Sequence, residues 1–228
     1  ILSEFGLISS TRISRVLTLT PIAMAYLNRS LSYSELITLQ LLRYQYPNGH
    51  KSQLSPSLTQ SYGENFNYES FTELQVHYNI QIRPAALIWK ILYKLWESGE
   101  QPILSLDEMQ GYAVRCTDMS DYLPCAESII KSRHGGSQLQ PLTRDRRNMA
   151  DWMKLLSQTL LFNVSGDGNT IAFSTYSIKE RKAVDYVCSR LSNSSSFWEY
   201  KEDNFKQDWF DFYGDYDNSI EYVLKESK

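Results

Sequence analysis

Long apolar runs are missing from this sequence. No stretch approaches the roughly 18 to 20 uncharged residues that a membrane-spanning helix requires, so no membrane partner is expected. Cysteine is scarce. Cys116, Cys125 and Cys188 are odd in number and none is spaced as a metal-binding pair, which points to reduced, mostly buried thiols in a cytoplasmic protein. The three histidines are scattered, which argues against zinc. No Gly-x-Ser-x-Gly elbow accompanies His134-Gly135-Gly136-Ser137, so a hydrolase triad is not expected. Gly166-Asp167-Gly168 lacks the lysine and the length of a phosphate loop. The opening residues, Ile1-Leu2-Ser3-Glu4-Phe5, show neither an initiator Met nor a basic-then-apolar leader, and read as a segment cut from a longer chain.

Aromatic residues are abundant: sixteen Tyr, nine Phe and five Trp stand among 228 residues. With 42% hydrophobic and 21% charged residues, this is the composition of a folded protein. The net charge of −3 hides an asymmetry. Residues 197–228 hold nine acids and four bases, whereas residues 1–196 hold nineteen bases and seventeen acids. The first sixty residues carry five Arg or Lys against Glu4 and Glu35. That basic bias is mild and does not by itself establish nucleic-acid binding.

Hydrophobic spacing and end signals predict a series of helices. Thr20 caps and Pro21 starts one that runs to about Asn28. Ser32 or Ser34 opens a leucine-rich second helix that stops at Tyr46-Pro47-Asn48-Gly49. Residues 50–70 are polar and read as a long loop. Pro84 starts a helix closed by Gly99, Ser105-Leu106-Asp107-Glu108 is a capping box, and Asp121 to about His134 forms another helix ended by Gly135-Gly136. Beyond a linker, Thr143 caps a helix to about Gln158. Two strand-like runs, 160–164 and 170–174, are joined by a turn-forming Asp-Gly segment, and Ser177 caps a helix to about Leu191. Helix, two-stranded wing, helix is the order of a winged-helix module. The expected fold is therefore mainly α with small β wings, in tandem winged-helix or helix-turn-helix-type modules. The boundaries are 1–70 for an N-terminal helical unit, 71–137 for a helical middle unit, 138–196 for a winged-helix unit and 197–228 for an acidic aromatic C-terminal segment.

The segment from Leu39 to Lys51 concentrates the residue types that bind nucleic acid. Arg43, Tyr44, Gln45, Asn48, His50 and Lys51 surround a helix end and turn, in a chain whose N-terminal part also carries Arg12 and Arg15. Arg and Lys neutralise phosphates, Gln and Asn can pair twice with a base edge, and Tyr can bond a phosphate or stack. The alternative is that Tyr44 and Tyr46 pack under the loop while Arg43 is an ordinary surface charge. Arg144, Arg146 and Arg147 crowd the first turn of a helix, where the helix dipole disfavours cations. An anionic partner would answer them, as would Asp145 and Asp151 within the chain.

The run LTLTPIAMAYLNRSLSYSELITLQLLRYQYPNGHK, Leu17–Lys51, resembles the start of the recognition region in type IIS restriction and nicking endonucleases of the FokI/AlwI kind. The later segments come in a similar order too: the apolar helix RPAALIWKILYKL, the LSLDEM helix start, and the basic-led unit from Arg144 to Ser174. The resemblance implies winged units that read double-stranded DNA in a restriction or related phage-defence system, with cutting left to a separate nuclease domain or subunit. That nuclease uses a Pro-Asp…Asp/Glu-x-Lys arrangement to hold Mg²⁺ and activate water. Here only Glu199-Tyr200-Lys201 has the Glu-x-Lys spacing, in an acidic aromatic segment without a strand pattern. No catalytic residue or cofactor is therefore assigned to this chain, and Mg²⁺ is expected only for the separate nuclease. A protein-interaction module of a defence or regulatory complex, binding no DNA, is the competing expectation.

Overall fold

A computed structural model describes residues 2–3, 5–9, 16–48, 71–137, 140, 146–193, 197–200 and 204–216. Local signals in the sequence account for several of the helix starts. Thr20 accepts from the Ala23 amide and Pro21 opens helix α1 (Pro21–Leu27). Ser32 and Glu35 form a reciprocal capping box on α2 (Tyr33–Arg43), and Ser32 rather than Ser34 is the cap. Helix α3 covers Phe71–His77. Pro84 opens α4 (Pro84–Glu97), which ends as Gly99 takes a φ of 80° that suits glycine. A short strand β1 (Ile103–Ser105) leads straight into α5 (Leu106–Gly111), whose cap pairs Ser105 with Glu108. Helix α6 (Tyr122–Arg133) comes after two single 3₁₀ turns. Then come α7 (Arg146–Leu156), the strands β2 (Phe162–Val164) and β3 (Thr170–Phe173), α8 (Thr175–Lys179), α9 (Arg181–Ser192) and α10 (Phe205–Gly214).

The described chain is mainly helical with one small antiparallel sheet. The hairpin expected between residues 160 and 174 is present, with Phe162 opposite Phe173 and Val164 opposite Ile171. Its third strand is one that spacing did not reveal. β1 pairs with β3, Leu104 opposite Ile171, so the sheet order is β1-β3-β2. Leu104 and Ile171 are fully buried, and each such side chain contributes about 1.5–3 kcal/mol by leaving water. The sheet thus joins residue 103 to residue 173 across the boundary drawn at 138.

Helix α4 is the hub. Ala85 through Leu92 are buried without a break, because α6 packs on one part of its surface and α9, α2 and β3 on others. An all-round apolar helix is what a central position demands. The core around it is continuous from Ile22 to Phe197, and Trp209, Phe210 and Tyr213 of α10 form a satellite cluster.

One cap lies elsewhere than expected. Ser174, not Ser177, caps the helix after the hairpin, accepting from the Ser177 amide. Ser177 is fully buried; its hydroxyl donates to the Leu161 carbonyl and accepts from the Trp89 indole. The helix read as continuous from 177 breaks at Glu180, which ends α8 and starts α9.

Candidate nucleic-acid interface

The turn after α2 carries the residues that the sequence marked most strongly, and its side chains point inward. Arg43 is only 4% exposed; its guanidinium donates to the Asp215 carbonyl at 2.6 Å and to that of Phe212, and lies 5.0 Å from the Phe212 ring centre. Gln45 has no exposed surface. Its amide nitrogen donates to the carbonyls of Trp198 (2.7 Å) and Pro47 (3.1 Å), and its oxygen accepts from Arg83 and from the Trp198 amide, each at 3.2 Å. Asn48 donates to the Gln45 carbonyl at 2.8 Å, while its own carbonyl accepts from Thr72. Tyr44 sits among Tyr46, Trp152 and Tyr213, and burial holds its phenol well above the usual range. The C-terminal segment folds over this turn and engages Arg43 and Gln45, while Asn48 is held by Gln45 and Thr72. Arg43, Gln45 and Asn48 are thus buried, Tyr44 is packed among aromatic rings, and all four are engaged within the chain.

Arg83 completes the arrangement. It lies 4.8 Å from the Phe197 ring, and burial, followed by the nearby charge of Arg43, lowers its pKa to about 10, so it stays charged at neutral pH. Nothing in a linear pattern singled out Arg83 before Pro84.

Arg12, Arg15, His50, Lys51 and Arg144 lie outside the described residues. Arg146 and Arg147 begin α7, but their side chains are not among those described. Glu199 is exposed, and Lys201 falls outside the described residues. Among the described residues no group of three or more His, Cys, Asp or Glu is placed to hold a metal, the cysteines are free and buried, and no helix is long and apolar enough to cross a membrane.

Two exposed helix faces were not singled out in the sequence. On α6, Leu123, Pro124, Glu127, Ser128 and Lys131 face solvent opposite the buried Cys125, Ala126 and Ile129. Arg133 is held back from that face by Glu108 (2.7 Å) and by carbonyls preceding and within β1. On α9, Lys182, Tyr186 and Arg190 are exposed opposite Val184, Val187, Cys188 and Leu191. The hairpin tip, 165–169, is tied by Asp167, which accepts from Ser165, the Asn169 amide and the Asn169 side chain; these bonds pull its carboxyl down to about 2. The helical spacing of α9 was the one signal that could have found its exposed trio.

No protein-family model matches the sequence, and no curated protein does. The fold is shared with a solved structure, the binding domain of the BpuJ1 endonuclease in complex with pyrene- and phenanthrene-modified DNA. The TM-score is 0.65 at 16% sequence identity, over 92% of this chain and 73% of that one.

Proposed function

We propose that this chain recognises double-stranded DNA as part of a restriction-endonuclease-like defence protein, with the cutting site in another domain or subunit. The observation that carries the reading is a fold shared over 92% of the chain with an endonuclease domain solved on DNA. The element order supports it. Helix α4, strand β1, helices α5 and α6, and the β2–β3 hairpin, in a sheet ordered β1-β3-β2, are read in this proposal as a winged-helix-like unit with α7 inserted before the hairpin. In helix-turn-helix relatives the second helix of the pair enters the major groove. That helix here is α6, so Leu123, Ser128 and Lys131 face the bases or the phosphates beside them. Arg12, Arg15, His50, Lys51, Arg144, Arg146 and Arg147 remain phosphate contacts in this proposal.

Anisotropy titration of random-sequence duplex at 50 and 200 mM salt tests it. Binding is expected to weaken steeply with salt, and Lys131→Ala to lower the log–log slope by about 0.9. Duplex incubated with this chain alone and Mg²⁺ should stay uncut. A folded chain with no salt-sensitive duplex affinity would favour the second reading, a protein-interaction module. That reading draws on Val16, Leu17, Leu19, Met24 and Leu27, apolar side chains exposed close together in sequence.

A further inference from the structure

Among the described residues, Lys182 and Arg190 of helix α9 form no ion pair. Lys182, Tyr186 and Arg190 succeed one another at four-residue steps, so they lie along one face, about 12 Å from first to last. All three are exposed, and Tyr186 keeps 64% of its surface in solvent. Ser189 and Asn193 fill out that side of the helix, and among the described residues of α9 no carboxylate stands on it. The neighbouring charges are otherwise engaged: Asp185 pairs with Lys90 at 3.0 Å, and Arg181 lies 4.1 Å from the Trp96 ring centre. Glu180 precedes the helix and is the nearest remaining acid in sequence. Arg181 and Lys182 both stand in the first turn, which contains no acidic residue. The helix dipole makes that end positive, so a cation there is disfavoured unless an anion approaches.

We propose that the Lys182–Tyr186–Arg190 face is a contact for the sugar-phosphate backbone of duplex DNA, separate from the α6 face. This rests on the DNA-binding reading. Two cations flanking an exposed phenol suit phosphates: the cations displace condensed counterions, and the hydroxyl donates to a phosphate oxygen. Such contacts hold register and orientation and carry no base preference.

The test compares the unaltered chain with Lys182→Gln/Arg190→Gln, with Tyr186→Phe and with Lys131→Ala, on two unrelated duplex sequences between 50 and 200 mM salt. Thermal melting confirms that each variant folds. The α9 double variant should lose affinity equally for both duplexes. Its log–log salt slope should fall by about 1.8, so the advantage of the unaltered chain shrinks about tenfold between the two salt concentrations. Tyr186→Phe should weaken binding without changing the slope. If the unaltered chain binds with steep salt dependence, Lys131→Ala lowers the slope and the α9 variants do not, the α9 proposal fails while the DNA reading stands. If the unaltered chain shows no salt-sensitive duplex binding, both fall.

Discussion

Gln45 has no exposed surface, and its amide joins the turn after α2, Arg83 and the segment at Trp198. Gln45→Ala would leave the Trp198 carbonyl and one Arg83 donor short of a partner in a dry environment. A loss of about 1–3 kcal/mol is expected, read as a fall in melting temperature of about 2–4 °C per kcal/mol. An unchanged melting temperature with weakened duplex affinity would instead restore Gln45 as a DNA-facing residue. Residue type and burial are different properties. Arg, Gln and Asn near a turn suit base reading and turn locking equally well, and the aromatic segment that covers them lies more than 150 residues away. Asp167 gives a prediction in pH. Its carboxyl is lowered from the ordinary 3.8 to about 2 by bonds that form in the folded hairpin. A depressed carboxyl stabilises the fold above the unfolded value and loses that contribution as pH falls toward 2. Carboxyl NMR should therefore find the Asp167 midpoint near 2, and Asp167→Asn should remove this part of the hairpin's acid sensitivity. A midpoint near 4 would mean that the turn bonds do not hold in solution.

Helix starts were legible where the cap is a short-range affair. Thr20, Ser32 and Ser105 bond an amide three residues ahead, and nothing distant is needed to place them. Ser177 has the same chemistry, but its hydroxyl is taken by Leu161 and Trp89, so the cap moves to Ser174. The hairpin was legible too, from an Asp-Gly turn between two apolar runs. Its partner β1 was not, because three residues give no periodicity, and their pairing with β3 spans more than sixty residues of chain. This makes an independent unit at 138–196 a poor fragment. Without β1 and α4, Leu161, Ile171 and Phe173 lose their cover. The fragment is expected to show little helix or strand signal by circular dichroism, and a fragment of residues 71–196 to regain it. Cooperative melting of the shorter piece would reinstate the boundary.

Across the whole molecule, α4 gathers α2, α6, α9 and the sheet around one core, and this sets which helix faces remain for a partner. The exposed faces of α6 and α9 are what that packing leaves over, and they belong to helices on either side of the hairpin in the chain order. The sequence by itself determined the mainly helical class, the caps at Thr20, Ser32 and Ser105, the hairpin and the apolar stripes, since each depends on residues a few positions apart. Only the tertiary structure decided that Arg43, Gln45 and Asn48 turn inward, that β1 completes the sheet, and that Lys182, Tyr186 and Arg190 share an exposed face of α9. Those outcomes depend on contacts between distant segments. Burial of a polar side chain is settled by whatever covers it, and no local pattern of residues contains that information.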